Sequence, residues 1–192
     1  KEFLFSFNRV RGKTELSTLH FKNDAEFYNN QYEKNVMINL SSFDGKALFN
    51  HTTYNGNLSL LNNTFHDDVS FDGAKFNRDV SLRGSTFYKN VSFDNALLPH
   101  KLDFSHVTVK GPPIELNNAK ASHIGKYVLI NVYDTDINKI NFSYTHFKLV
   151  FPDVATQQDI INIYTKLLEK YKREGMDRSF KQLYREFRQY EL

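Results

Sequence analysis

The chain has 192 residues, 24% of them charged, with 18 Phe and 11 Tyr but neither Cys nor Trp. That length fits one domain, or one domain with a short appendage, and the missing cysteine excludes thiol catalysis, disulfides and every Cys-based zinc or iron–sulfur site. The net charge is +3, yet residues 1–165 carry 17 basic and 17 acidic side chains while residues 166–192 carry 8 and 5. A neutral body lacks the basic stripe of a nucleic-acid binder and equally lacks the negative surface of a DNA mimic.

The first residues, from Lys1 through Phe3, Leu4, Phe5 and Phe7, are too few in apolar side chains for a signal peptide. No run of 18 apolar residues follows. The expected setting is the cytoplasm or the cytoplasmic face of a membrane.

From about residue 10 to 109 one period governs the chain. Aromatics stand at Phe21, Tyr32, Phe43, Tyr54, Phe65, Phe76 and Phe87, followed by Leu98, each 11 residues from the last. Four residues on lie Ala25, Val36, Ala47, Leu58, Val69, Val80, Val91 and Leu102. Six on lie Phe27, Ile38, Phe49, Leu60, Phe71, Leu82, Phe93 and Phe104. Nine on lies a mostly small residue: Asn30, Ser41, Thr52, Asn63, Ala74, Ser85, Ala96 or Val107. On a helix these positions would ring the axis, not line one face, so the helical reading fails. In strands, Val69-Ser70-Phe71 and Val80-Ser81-Leu82 put two apolar side chains on one face and Ser on the other. Asp72-Gly73 and Arg83-Gly84 supply corners between them. Short strand, corner, short strand describes a β-solenoid.

Phe71-Asp72-Gly73-Ala74-Lys75-Phe76, then Val80-Ser81-Leu82-Arg83-Gly84-Ser85-Thr86-Phe87, resembles the pentapeptide-repeat superfamily, in its degenerate Phe-rich branch with alternating five- and six-residue units. The resemblance implies a right-handed quadrilateral β-helix with about 22 residues per coil and four to five coils. Asn30, Asn63 and Val107 depart from the small inward residue, and their corners are expected to be irregular.

The period breaks at Gly111-Pro112-Pro113. Residues 109–139 read as an irregular coil with an excursion, in which Tyr127–Tyr133 is apolar but out of register. Residues 140–150 read as a last coil, and Pro152 closes a β-helix domain of residues 1–152. Residues 153–192 form an antiparallel helical hairpin. In its first helix Thr156 is the N-cap, and Ile160, Tyr164, Leu167, Leu168 and Tyr171 make the apolar stripe. Lys166, Glu169 and Lys170 lie towards the other side, and Gly175 stops the helix. Asp177 caps the second helix, whose apolar face is Phe180, Leu183, Tyr184, Phe187 and Tyr190. The hairpin is expected to fold back over Phe142 and Phe147 as a cap, with Leu168→Ala costing about 2–5 kcal/mol.

The chemistry is sparse. His51 and His106 occupy corners five units apart, and His66-Asp67-Asp68 lacks a second His in the repeat frame. Asp67, Asp68, Asp72 and Asp79 read as a solvated face. The sequons at Asn39, Asn50, Asn57, Asn62, Asn90 and Asn141 arise from the repeat itself. No phosphate loop, nucleophile elbow or metalloprotease motif occurs, so no catalytic, cofactor-binding or metal-binding residue is expected and no cofactor is assigned. Arg178, Lys181, Arg185 and Arg188, spaced 3, 4 and 3, form a basic stripe on the second helix. Its plain reading is a solvated flank paired with Glu174, Asp177 and Glu186. Its sharper reading is contact with a protein partner or an anionic membrane surface.

The expected function is therefore a non-enzymatic repeat scaffold for protein–protein interaction, the soluble part of a membrane-associated bacterial chain, able to form a homodimer through its C-terminal end. Nucleic acid is disfavoured. Two rivals remain: a topoisomerase inhibitor acting as a DNA mimic, known in the superfamily, and a carbohydrate-binding or carbohydrate-active β-helix.

Overall fold

Two- to four-residue strands dominate the computed structural model, which describes residues 2–121 and 127–191. Among these residues the chain winds through four parallel sheets of seven, six, seven and five strands. Each coil adds one strand to each sheet in turn. Partners such as Thr53↔Gln31, Leu58↔Val36, Thr64↔Ser42 and Val69↔Ala47 stand 22 residues apart. The result is a mainly β parallel solenoid of about six turns, more than the four to five expected. The register begins earlier, at Phe3↔Ala25, and continues past residue 109 to the strand Phe147–Leu149. Two helices follow, α1 (Gln157–Arg173) and α2 (Asp177–Tyr190).

The 11-residue period makes this coil because two units close one turn, so every inward position lands on its own kind one coil above. All four sets of repeat positions are buried. The aromatics consequently form columns. Phe21, Phe43, Phe65 and Phe87 stack with ring centroids 4.6, 4.7 and 5.0 Å apart. Phe27, Phe49, Phe71 and Phe93 stack at 5.2, 5.1 and 4.8 Å, and Tyr32, Tyr54 and Phe76 at 5.4 Å. Ring spacing follows strand spacing, close to 4.8 Å between hydrogen-bonded strands.

Corners obey a second rule. Every eleventh residue from Phe7 to His106, including Gly73 and Gly84, has φ between 52° and 70°, the left-handed region that costs a non-glycine residue about 1–2 kcal/mol. The small inward residue comes next, and its side chain offsets that cost. Asn30 Oδ1 accepts the N–H of Asn8 one coil below at 2.9 Å, and its Nδ2 donates to the Phe5 carbonyl at 2.6 Å. Asn63 repeats the pattern with Ser41 and Ile38 at 2.9 and 2.6 Å. Further along, the corner closes on itself: the N–H of Ala74 goes to the Phe71 carbonyl at 3.0 Å and that of Ser85 to the Leu82 carbonyl at 3.1 Å.

Two expectations change here. The corners at Asn30 and Asn63 are regular, because an amide reaches both backbone groups that a hydroxyl reaches elsewhere. Residues 109–139 also stay largely within the sheets: Ile114–Glu115, Lys120–Ala121 and Val128–Asn131 all pair with the coil below. What changes is the step, 23 residues at Ser92↔Glu115 and 28 at Leu102↔Ile130. Residues 122–126 of the expected excursion lie outside the described residues.

Candidate interaction surface at the capped end

A stack of parallel coils must end with carbonyls and N–H groups that lack a next strand. Here α1 and α2 supply side chains to those groups. Thr156 caps α1 and forms a reciprocal box with Asp159, holding that carboxyl below the usual carboxylate range through hydrogen bonds to the Thr156 side chain and backbone N–H. The stripe of α1 is buried at Tyr164, Leu167 and Tyr171, whereas Ile160 and Leu168 are only partly covered. The deep anchor is thus Leu167, not Leu168. Tyr171 donates its hydroxyl to the Phe142 carbonyl at 2.8 Å and sets its ring edge-on to Phe142.

Lys170 departs most from the sequence reading. Placed there on the polar side, it is 1% exposed. Its ammonium donates to the carbonyls of Ile137 and Ile140 at 2.9 and 2.8 Å and to Asn141 Oδ1 at 2.6 Å. All three donors of the ammonium are used. Burial lowers its pKa. The available signal was spacing: Lys170 follows Ile163 by seven residues and Leu167 by three, on the row that faces the coil.

Helix α2 contributes from its inner side. Ser179 Oγ accepts the N–H of Tyr144 at 3.1 Å, and Glu186 accepts the hydroxyls of Tyr144 and Tyr164 at 2.5 and 2.9 Å. Met176 occupies the N-cap position with no side-chain bond, so Asp177 is the first helical residue and not the cap. Leu183 is fully buried and Phe180 and Phe187 partly so, but Tyr184 is 47% exposed and leaves the expected apolar face.

The outer side of α2 gathers the whole expected stripe. Arg178, Lys181, Arg185 and Arg188 are all exposed, and helical spacing sets Tyr184 beside Lys181 and Arg188. Of the local pairs expected, Glu186 belongs instead to the two tyrosines. Arg188 bonds Glu191 at 3.0 Å, and Glu174 meets Arg173 at 3.7 Å. Exposed pairs of this kind contribute about 0–1 kcal/mol.

The histidines are scattered: His66 stacks on Tyr88, and His106 meets Asp134 at 2.8 Å. Asp68 and Asp72 accept the N–H groups of Asn90 and Asp94 one coil above. Among the described residues no group of three or more His, Asp or Glu side chains could hold a metal, and no helix is long and apolar enough to cross a membrane. A groove of about 400 Å³ runs between Val132–Ile137 and α1, with Asp134, Asp136, Asp159 and Lys166 on its walls. Asp134 and Asp136 already bond His106 and Asn138, and Asp159 bonds Thr156.

Buried phenols give this end and the core a common pH response. Desolvation raises Tyr32 to about 12 and lifts Tyr54, Tyr144, Tyr164 and Tyr171 well above their ordinary value. The folded chain keeps protons that the unfolded chain releases above about pH 10. Unfolding therefore releases protons, and stability falls as pH rises from there, by about 1.4 kcal/mol per pH unit for each such tyrosine. Alkaline titration with circular dichroism should show that the full tyrosinate absorbance of the 11 tyrosines is reached only as the fold is lost. Full tyrosinate absorbance while the fold persists would contradict the burial.

Residues 49–97 and 60–108 match a family model described as pentapeptide repeats (9 copies). No curated protein and no solved structure matches the chain.

Proposed function

We propose that this chain, whose repeat is a pentapeptide repeat, is a non-enzymatic scaffold that presents the outer face of α2 to an acidic protein surface. The coil is right-handed in this reading, as parallel strand–connection–strand units are, and the helices pack as an antiparallel hairpin. The observation that carries it is the division of labour in α2. Ser179, Leu183 and Glu186 close the solenoid, while Arg178, Lys181, Arg185 and Arg188 all face outward. Four cations in three turns favour an anionic partner and speed its encounter. The interior supports a scaffold rather than a container, because its columns of stacked rings fill the coil.

Charge reversal tests this. Lys181→Glu with Arg185→Glu should leave the unfolding free energy within about 0.5 kcal/mol of wild type, as exposed substitutions do. The same variant should lose binding to immobilised polyglutamate at low salt. Equal binding by both proteins would remove the stripe from the function. Binding of wild type to anionic vesicles but not to polyglutamate would transfer it to the membrane-associated reading. Turnover of a glycan by the purified chain would overturn the non-enzymatic assignment. A second reading, a two-fold contact through this end, draws on Tyr184 and Tyr190, 47% and 38% exposed. Light scattering of wild type against Tyr184→Ser decides it, since only a dimer through this face would dissociate.

A further inference from the structure

Three side chains from three separate segments converge where α1 meets the last coil. Glu115 and Asn141 are direct partners on adjacent parallel strands, and Asn141 Nδ2 donates to the Glu115 carboxylate. From the helix, Lys170 Nζ reaches Asn141 Oδ1 at 2.6 Å. The carbonyls of Ile137 and Ile140 hold Nζ in place from its other side. An amine, a carboxamide and a carboxylate sharing one contact chain are the reactants and the proton shuttle of an amide exchange.

We propose that Lys170 and Asn141 join in an intramolecular isopeptide bond, with Glu115 as the proton-transfer group, and that this bond staples α1 to the end of the solenoid. The ammonium gives one proton to Asn141 Oδ1 while Nδ2 gives one to Glu115, along the two contacts of the carboxamide. The Nζ lone pair then forms a bond to Asn141 Cγ, one proton passes from Nζ and one from Oδ1 to Nδ2, and the Cγ–Nδ2 bond breaks with its electron pair leaving on ammonia. Ammonia recovers the proton from Glu115 and departs as ammonium. Atoms and charge balance with no oxidant, metal or cofactor.

Each requirement has a counterpart in the fold. A lysine is nucleophilic only as the free amine, and desolvation favours that form; Lys170 is 1% exposed. Reacting groups held at contact distance gain the rate advantage of an intramolecular step. Glu115 is exposed, which gives the leaving ammonia a way out. The product amide keeps one N–H for the carbonyls that now share the ammonium.

The test is the intact mass of the purified full chain. The expected mass is lower than the sequence mass by one ammonia, and proteolysis should yield a branched peptide joining Asn141 to Lys170. Glu115→Ala, an exposed substitution that leaves the strand pairing intact, should return the mass to its sequence value and lower the melting temperature. Lys170→Met should likewise show no mass loss. A wild-type mass equal to the sequence mass, after prolonged incubation at raised pH, would overturn the proposal and leave a hydrogen-bonded buried lysine. Ammonia loss mapped instead to Asn55-Gly56 would overturn it too, and mass loss persisting in Glu115→Ala would overturn the role of Glu115.

Discussion

Phe65→Ala should destabilise the fold by about 3–5 kcal/mol, the upper range for truncating a core aromatic. Phe65 is fully buried and stands inside its column, 4.7 Å from Phe43 below and 5.0 Å from Phe87 above. The void cannot close easily. Thr64 pairs with Ser42 on one side and Thr86 on the other, so the backbone fixes the spacing of the coils. Both ring contacts are lost, beyond the apolar area removed from water. Phe21→Ala is the internal comparison: at 9% exposure it opens the same column, on the end strand of its sheet, with no strand below it among the described residues. It should cost less. Because coils contact only their neighbours, the damage enters at the middle of a nearest-neighbour chain, and chemical denaturation should show it as a large fall in midpoint. A loss under about 1 kcal/mol would mean that the backbone ladder, not the aromatic column, holds the rod.

The contrast between rod and cap shows where a sequence is readable. The rod's inward positions were legible because stacking requires the same kind of residue at the same place in every coil, and repetition turns tertiary contact into sequence period. That is why Phe65 and Thr52 could both be assigned. Asn30 and Asn63 looked like flaws because side-chain size was the visible criterion, whereas the corner selects for an acceptor and a donor. The cap has no period. Lys170, Ser179 and Glu186 are each used once, and what they bond is set by which groups the last coil leaves open. Lys170 read as a polar flank because lysine is almost never fully buried. Only its place on the row of Ile163 and Leu167 pointed inward. The outer face of α2 was legible again, since four cations at helical spacing need only one helix to align them, though the helix turned Tyr184 outward as well.

Leu167→Ala should cost about 2–5 kcal/mol and should do so across the whole rod. Leu167 is fully buried, on the same helix as the groups that close the solenoid: Lys170 on the carbonyls of Ile137 and Ile140, Tyr171 on the carbonyl and ring of Phe142. Loosening α1 withdraws these together. The last coil would then present Phe142, Phe147 and open strand edges, a template for pairing with another chain. Two readouts follow. The melting temperature should fall for strand and helix signals alike, because cap and rod share the buried network of Tyr144, Tyr164 and Glu186. The variant should also aggregate at concentrations where wild type remains dispersed. Leu168→Ala, at a half-buried site on the next position, should cost clearly less, which separates the anchor from a general loss of helix. If α1 unfolded first and left the strand signal unchanged, the helices would be an appendage and the solenoid would close by other means.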